Sequence, residues 1–153
     1  IRNAVRVFLI KKDKIVCIKY KRGPIGFIDI PGGKIEEKET KEEAAIREFL
    51  EETGMKISNL QEIGTMITEY PDRIYHFVLF QAHTYTGDPQ NFEENNSFWI
   101  PISELLKEEK RFAITHLLDE NYKKKFLEAN IHVKYIMDEN DKIIEIEKLG
   151  KRC

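Results

Sequence analysis

The chain has 153 residues, 41% of them hydrophobic, with 25 basic and 27 acidic residues and a net charge of −2. That length fits one domain spanning residues 1–153, and that apolar share excludes a disordered chain. The near balance of charge excludes a basic nucleic-acid coat and a polybasic membrane binder, while leaving room for a local acidic site.

Arg2 to Ile10 is rich in Val, Phe, Leu and Ile and predicts a strand. Lys14 to Tyr20 predicts a second, after a turn at Lys11-Lys12-Asp13. Phe27 to Ile30 is a short apolar run that stops at Pro31-Gly32-Gly33, a loop with unusual backbone angles by composition. The period then turns helical. Thr40 with Glu43 three residues on is a capping-box pattern, and Gly54 supplies a stop after Thr53. Ala45, Ile46, Phe49, Leu50 and Thr53 form the expected buried face of this helix.

Strands are expected at Leu60 to Glu69 and Ile74 to His83, joined by a turn at Tyr70 to Arg73. A polar loop covers Gly87 to Ser97, before a strand end at Phe98 to Pro101. Ser103 is expected to cap a short helix at Glu104 to Lys107. A second long helix is expected at Thr115 to Ala129, with Leu117, Leu118, Tyr122, Phe126 and Leu127 inward. Ile131 to Met137 and Lys142 to Lys148 predict a C-terminal hairpin, an extension over 131–148. The order implies an α/β fold with a mixed sheet packed by helices.

No stretch approaches the roughly 18 apolar residues of a membrane helix, and no charged-then-apolar leader opens the chain, which begins at Ile1. Cys17 lies in an apolar alternating run and Cys153 is the last residue, without metal spacing or a disulfide pattern. A reducing, cytoplasmic setting is the expectation.

The chemistry concentrates on the first helix. Glu48, Glu51 and Glu52 stand at i, i+3 and i+4, so they share one arc. Like charges at that spacing destabilise a helix by roughly 0.2–0.5 kcal/mol per pair, a repulsion that a cation reverses. Hard cations such as Mg²⁺ and Mn²⁺ take carboxylate oxygens. A solvated acidic face has the same pattern, so the spacing alone does not decide. The adjoining Pro31-Gly32-Gly33-Lys34 allows close backbone approach, so a carbonyl could reach the same ion and N–H groups could meet phosphate oxygens. The histidines offer no zinc pattern, and His76 and His83 point to opposite faces of one strand. Phe27, Tyr70, Tyr75, Phe80 and Trp99 could stack on a base, although each also suits a core.

The stretch GKIEEKETKEEAAIREFLEETGM, from Gly33 to Met55, resembles the Nudix box, G-x5-E-x7-R-E-U-x-E-E-x-G-U with U bulky and apolar. Gly33, Glu39, Arg47, Glu48, Glu51, Glu52 and Gly54 fall in register, and Phe49 stands where an aliphatic residue is usual. The resemblance implies a MutT-like hydrolase with a Nudix-type α/β/α sandwich and mixed sheet over roughly Arg2 to Ala129. It implies Glu48, Glu51 and Glu52 as metal ligands, with the Gly33 carbonyl as another. It implies Arg47 as the residue holding the glutamates, and Glu39 as support for the loop. Gly32 and Lys34 would face phosphate. The general base is not fixed across the family, so Glu52 on the helix and Glu93 and Glu94 before Trp99 all stand as candidates.

The resemblance implies an Mg²⁺- or Mn²⁺-dependent pyrophosphohydrolase acting on a small-molecule nucleotide by water attack on phosphorus. A nucleoside triphosphate, normal or oxidised, is favoured, and ADP-ribose or a nucleotide sugar is the alternative. Pro71 faintly resembles a proline of ADP-ribose members, but Tyr70-Pro71-Asp72 equally suits a plain turn. Capped RNA lacks a supporting basic patch, so no clear nucleic-acid surface and no membrane partner are expected. The resemblance also admits a homodimer. A non-catalytic nucleotide sensor is the alternative of another class, disfavoured because every box glutamate is kept.

Overall fold

The computed structural model describes residues 1–118 and 131–149. Its strands are β1 (Arg2–Phe8), β2 (Ile10–Lys11), β3 (Lys14–Tyr20), β4 (Ile28–Asp29), β5 (Gly32–Lys34), β6 (Lys56–Glu69), β7 (Ile74–Thr86), β8 (Asn95–Pro101), β9 (Ile131–Met137) and β10 (Ile143–Lys148). Helix α1 covers Lys41–Thr53, α2 covers Ile102–Leu105, and a 3-10 helix covers Ala113–Leu118.

Two sheets organise these elements. The larger runs β10-β9-β6-β7-β1-β5 and is mixed, because β1 lies parallel to β7 and β6 parallel to β9. The smaller sets β3 between β8 on one side and β2 and β4 on the other. Alternating strand side chains feed two apolar clusters. One gathers Val5, Val7, Leu9 and Phe80 with Ala44, Ala45 and Phe49 of α1. The other gathers Ala4, Phe8 and Phe77 with Ile102 and Leu105 of α2 and Ile114, Leu117 and Leu118 of the 3-10 helix. Helical segments therefore cover both cores, giving the expected mixed α/β architecture.

Several expected bounds change. The first strand breaks at Leu9, where the chain leaves the large sheet for the small one. Pro31-Gly32-Gly33 is not a loop of unusual angles: Gly32 and Gly33 lie in β5, antiparallel to β1, and neither has positive φ. They are glycines because the space is missing, since a Cβ on Gly32 would stand 2.0 Å from the Val5 carbonyl oxygen. Strand β8 begins at Asn95, inside the expected polar loop, because Asn95 to Ser97 pair with Ile18 to Tyr20. The short helix begins at Ile102, one residue before Ser103, and no side chain caps it. Thr115 to Leu118 belong to the 3-10 helix, and the rest of the expected second long helix lies outside the described residues.

The C-terminal hairpin extends the large sheet through β9, which pairs with β6. Gly64 makes that contact, since a Cβ there would stand 1.8 Å from the Ile131 carbonyl oxygen. No helix among the described residues is long and apolar enough to cross a membrane.

Candidate functional site

Helix α1 starts and stops as its sequence predicts. Thr40 Oγ1 accepts from the Glu43 N–H, and the Glu43 carboxylate accepts from the Thr40 N–H. Gly54 closes the helix in the left-handed region, at φ 76°, and donates its N–H to the Leu50 carbonyl.

The buried face is rotated from the one expected. Ala44, Ala45, Phe49 and Thr53 are buried, while Ile46 and Leu50 are exposed. At about 100° per residue, Glu48 and Glu52 fall inside that buried arc rather than opposite it. Only Glu51 stands out in solvent, 58% exposed. Small neighbours permit this burial: Ala44 and Ala45 on the helix, Gly32 and Gly33 on β5. A Cβ on Gly33 would lie 2.4 Å from the Glu48 carboxyl carbon.

Each carboxylate has its own support. Glu52 Oε1 accepts the Gly32 N–H at 2.8 Å. Burial pushes the Glu52 carboxyl up to about 8, against the opposing pull of Arg6. Burial also raises Glu48, opposed by Arg47. Arg47 is the hub. Its Nε and Nη2 grip both oxygens of Glu39 at 2.6 and 2.9 Å, and Nη1 reaches Glu48 at 2.9 Å and Glu51 at 3.4 Å. Nη2 also meets the Lys34 carbonyl at 3.0 Å, tying α1 to the end of β5. The bond from Arg47, helped by the Glu36 N–H, lowers Glu39 to about 2.

The structure thus brings together Gly32, Gly33, Lys34, Glu39, Arg47, Glu48, Glu51 and Glu52. The Gly32 N–H is engaged by Glu52, and Lys34 meets Arg47 through its carbonyl. Glu93 and Glu94 stand apart in their bonding. Both are exposed and both pair with Arg22, Glu94 at 3.1 Å. The adjoining Asn95 does reach α1, donating Nδ2 to the Glu52 carbonyl at 2.9 Å.

Sequence reading missed Arg6, Tyr20 and Asp29. Asp29 is 3% exposed and accepts from the Tyr20 hydroxyl at 3.1 Å and the Ile30 N–H at 2.8 Å, with Arg6 3.5 Å away. Burial raises Asp29, offset in part by Arg6. Burial works against charge on Arg6, yet Asp29, Glu52 and Glu48 together hold the guanidinium above its ordinary value. The available signal was one charged residue inside each of two apolar strands, Ala4-Val5-Arg6-Val7 and Ile28-Asp29-Ile30.

Arg6, Tyr20 and Asp29 line a cavity of about 430 Å³ that also meets Thr68, Tyr75 and Phe112. Of the aromatics weighed for stacking, Tyr70 and Tyr75 line it. Phe80 is core, Phe27 packs on Phe112 and Trp99 on Tyr85.

The donor set suits a hard cation: three carboxylates on one helix beside a glycine strand. Among the described residues, no three acidic, His or Cys side chains stand close enough to surround one ion. Ligation by all three glutamates therefore requires rotation of side chains now held by Arg47.

A sequence profile described as "NUDIX domain" matches residues 1–120. The oxidized purine nucleoside triphosphate hydrolase of Danio rerio is 34% identical over 76 residues, 48% of this chain and 49% of that protein. The ADP-ribose pyrophosphatase of Bacillus subtilis is 29% identical over 112 residues, 70% of this chain and 60% of that protein. The chain spans about half the length of the first of these relatives. A crystal structure of a mutator MutT protein from Bacillus halodurans superposes with a TM-score of 0.72 at 17% identity, covering 96% of this chain and 97% of that one. At that identity it speaks for the fold.

Proposed function

Because the chain belongs to the NUDIX domain family, we propose that it is a divalent-cation-dependent hydrolase of a diphosphate linkage in a nucleoside triphosphate, normal or oxidised. The observation that carries this reading is the carboxylate group on α1. Arg47 braces Glu39, Glu48 and Glu51, while Glu52 is seated on Gly32.

Glu48, Glu51 and Glu52 would hold Mg²⁺ or Mn²⁺, beside the Gly33 backbone. A bound cation of this kind neutralises phosphate charge and makes water more acidic. The chain's own residues supply position. Arg47 sets the helix against β5, and the close Gly33–Glu48 packing fixes where the Glu48 carboxylate can lie. Preorganised charge of this kind provides most of the rate in phosphoryl transfer. Glu52 fits the base role better than Glu93 or Glu94. It lies among the ligand candidates, whereas both loop carboxylates are paired with Arg22.

The relative named for oxidised purine triphosphates supports the triphosphate reading. The second relative keeps ADP-ribose as the competing substrate. The Pro71 segment lends that alternative little, because it forms the β6–β7 turn, closed by the Tyr70 N–H on the Arg73 carbonyl.

The test is turnover with Mg²⁺ on oxidised dGTP, the ordinary nucleoside triphosphates, ADP-ribose and dinucleoside polyphosphates. The expected result is the highest kcat/KM on a triphosphate. A higher value on ADP-ribose contradicts the substrate assignment, and binding without hydrolysis of any of them sinks the enzyme reading.

A further inference from the structure

A second groove lies away from the carboxylates. Lys11, Lys12, Asp13 and Lys14 line it with Tyr85 and Trp99, around a volume of about 490 Å³, within the range of small-molecule sites. It shares no lining residue with the cavity at Arg6 and Asp29. Strand β8 sets it apart from α1. Asn95 bonds the Glu52 carbonyl, and Trp99 lies further on in the same strand, about 13 Å along it.

Two features of the β2–β3 turn work against folding. Lys11 and Lys14 stand directly opposite each other across the strands, and like charges so placed repel. Lys12 opens the two-residue turn at φ 56°, in the left-handed region that favours glycine or asparagine. Exposed lysines therefore crowd one tip at a cost to the free protein, with Asp13 as the one acidic residue in the lining. An anion seated among them reverses the repulsion.

The adjoining wall is aromatic. Tyr85 and Trp99 are half-buried, with ring centroids 5.5 Å apart. Lys11 Nζ donates to the Tyr85 hydroxyl at 3.2 Å and lies 5.7 Å from the centre of that ring. An ammonium has three donors, so this bond fixes Lys11 at the groove without exhausting it. Aromatic rings beside fixed positive charge suit a planar ring that carries phosphate.

We propose that this groove is a second, non-catalytic nucleotide site, in which the base packs on Trp99 and Tyr85 and the phosphate sits among Lys11, Lys12 and Lys14. The site stands whether or not the carboxylates of α1 hydrolyse nucleotides. The small volume and the near balance of charge favour a single nucleotide over a nucleic-acid strand.

Trp99 is the sole tryptophan, so its fluorescence reports on this groove. The test titrates AMP, GMP, adenosine, ribose 5-phosphate and a short single-stranded oligonucleotide into chelator-treated protein, followed by Trp99 fluorescence and amide NMR shifts. AMP or GMP should change the fluorescence saturably and shift the amides of Lys11 to Lys14, leaving those of Gly32 to Lys34 in place. Adenosine and ribose 5-phosphate should bind roughly tenfold more weakly. Lys14→Gln should weaken the nucleotide on the order of tenfold, and Lys14→Arg should restore it. The free Lys14→Gln protein should melt at the same or a higher temperature, because the cross-strand repulsion is gone. Shifts confined to Gly32 to Lys34, an unchanged Trp99, or full affinity in Lys14→Gln would each overturn the proposal. So would adenosine or ribose 5-phosphate bound as tightly as the nucleotide, or an oligonucleotide bound much more tightly. Binding in this groove without hydrolysis of any nucleotide contradicts only the enzyme reading.

Discussion

Gly32 and Gly33 are adjacent, and both are glycine for lack of room, yet their replacement has different consequences. In Gly33→Ala the added methyl meets the Glu48 carboxylate, the movable end of a side chain. This variant should therefore fold within about 1 kcal/mol of the wild type. It should lose activity on the order of a hundredfold, because a displacement near 1 Å at a catalytic group costs about that much. In Gly32→Ala the added methyl meets the Val5 backbone, which cannot yield without parting β1 from β5. That variant should lose about 1–3 kcal/mol or more of stability. Denaturant melts with parallel rate measurements separate the two, and equal stability losses would contradict the distinction.

Glu39 supplies a pH test at the same scale. Arg47 lowers its folded pKa to about 2 from 4.5, so the stability it contributes is fully present above 4.5. That contribution is lost as pH falls through 2. A carbon-detected titration of the Glu39 carboxyl should show its midpoint near 2, and a midpoint near 4.5 would mean that the clamp is not formed in solution. Arg47, Glu48, Glu51 and Glu52 were readable as residues because their spacing is fixed along one helix. Arg6 and Asp29 were not, because they approach only when β1 and β4, from different sheets, are brought together.

At the scale of elements, α1 was legible at both ends, since Thr40, Glu43 and Gly54 act through local backbone bonds. Thr40→Ala should lower stability by about 1 kcal/mol, read as a fall of roughly 2–4 °C in melting temperature. An unchanged melting temperature would remove the capping box as a contributor. The facing of α1 was misread because hydrophobicity alone pointed Ile46 and Leu50 inward. Helix orientation was decided instead by the small residues that let α1 approach β5. The short strand β5 was misread for a related reason, since Pro and paired glycines have turn composition while their pairing with β1 is a long-range fact. Strand β6 offers a further test. Gly64→Ala should loosen β9 from the sheet and speed hydrogen exchange across Ile131–Met137, while leaving the β6–β7 pairing around Met66 protected.

At the scale of the whole molecule, the strand and helix order was readable from periodicity, but the division into two sheets was not. The transfer at Leu9 is a single residue within one apolar run, and only the pairing of β3 with β8 shows which strands belong to the smaller sheet. That division matters for function. It leaves a cavity lined by strands of both sheets and sets Arg6 between that cavity and the carboxylates of α1. In the proposed function these carboxylates act through a divalent cation. The most direct measurement is nucleotide hydrolysis by chelator-treated protein titrated with Mg²⁺, for the wild type, Glu51→Gln and Glu52→Gln, with folding checked by circular dichroism. Negligible turnover without the cation, recovery on its addition, and folded variants slower by orders of magnitude are expected. Turnover that persists without a cation, or folded variants that keep near-normal rates, would contradict the proposed function.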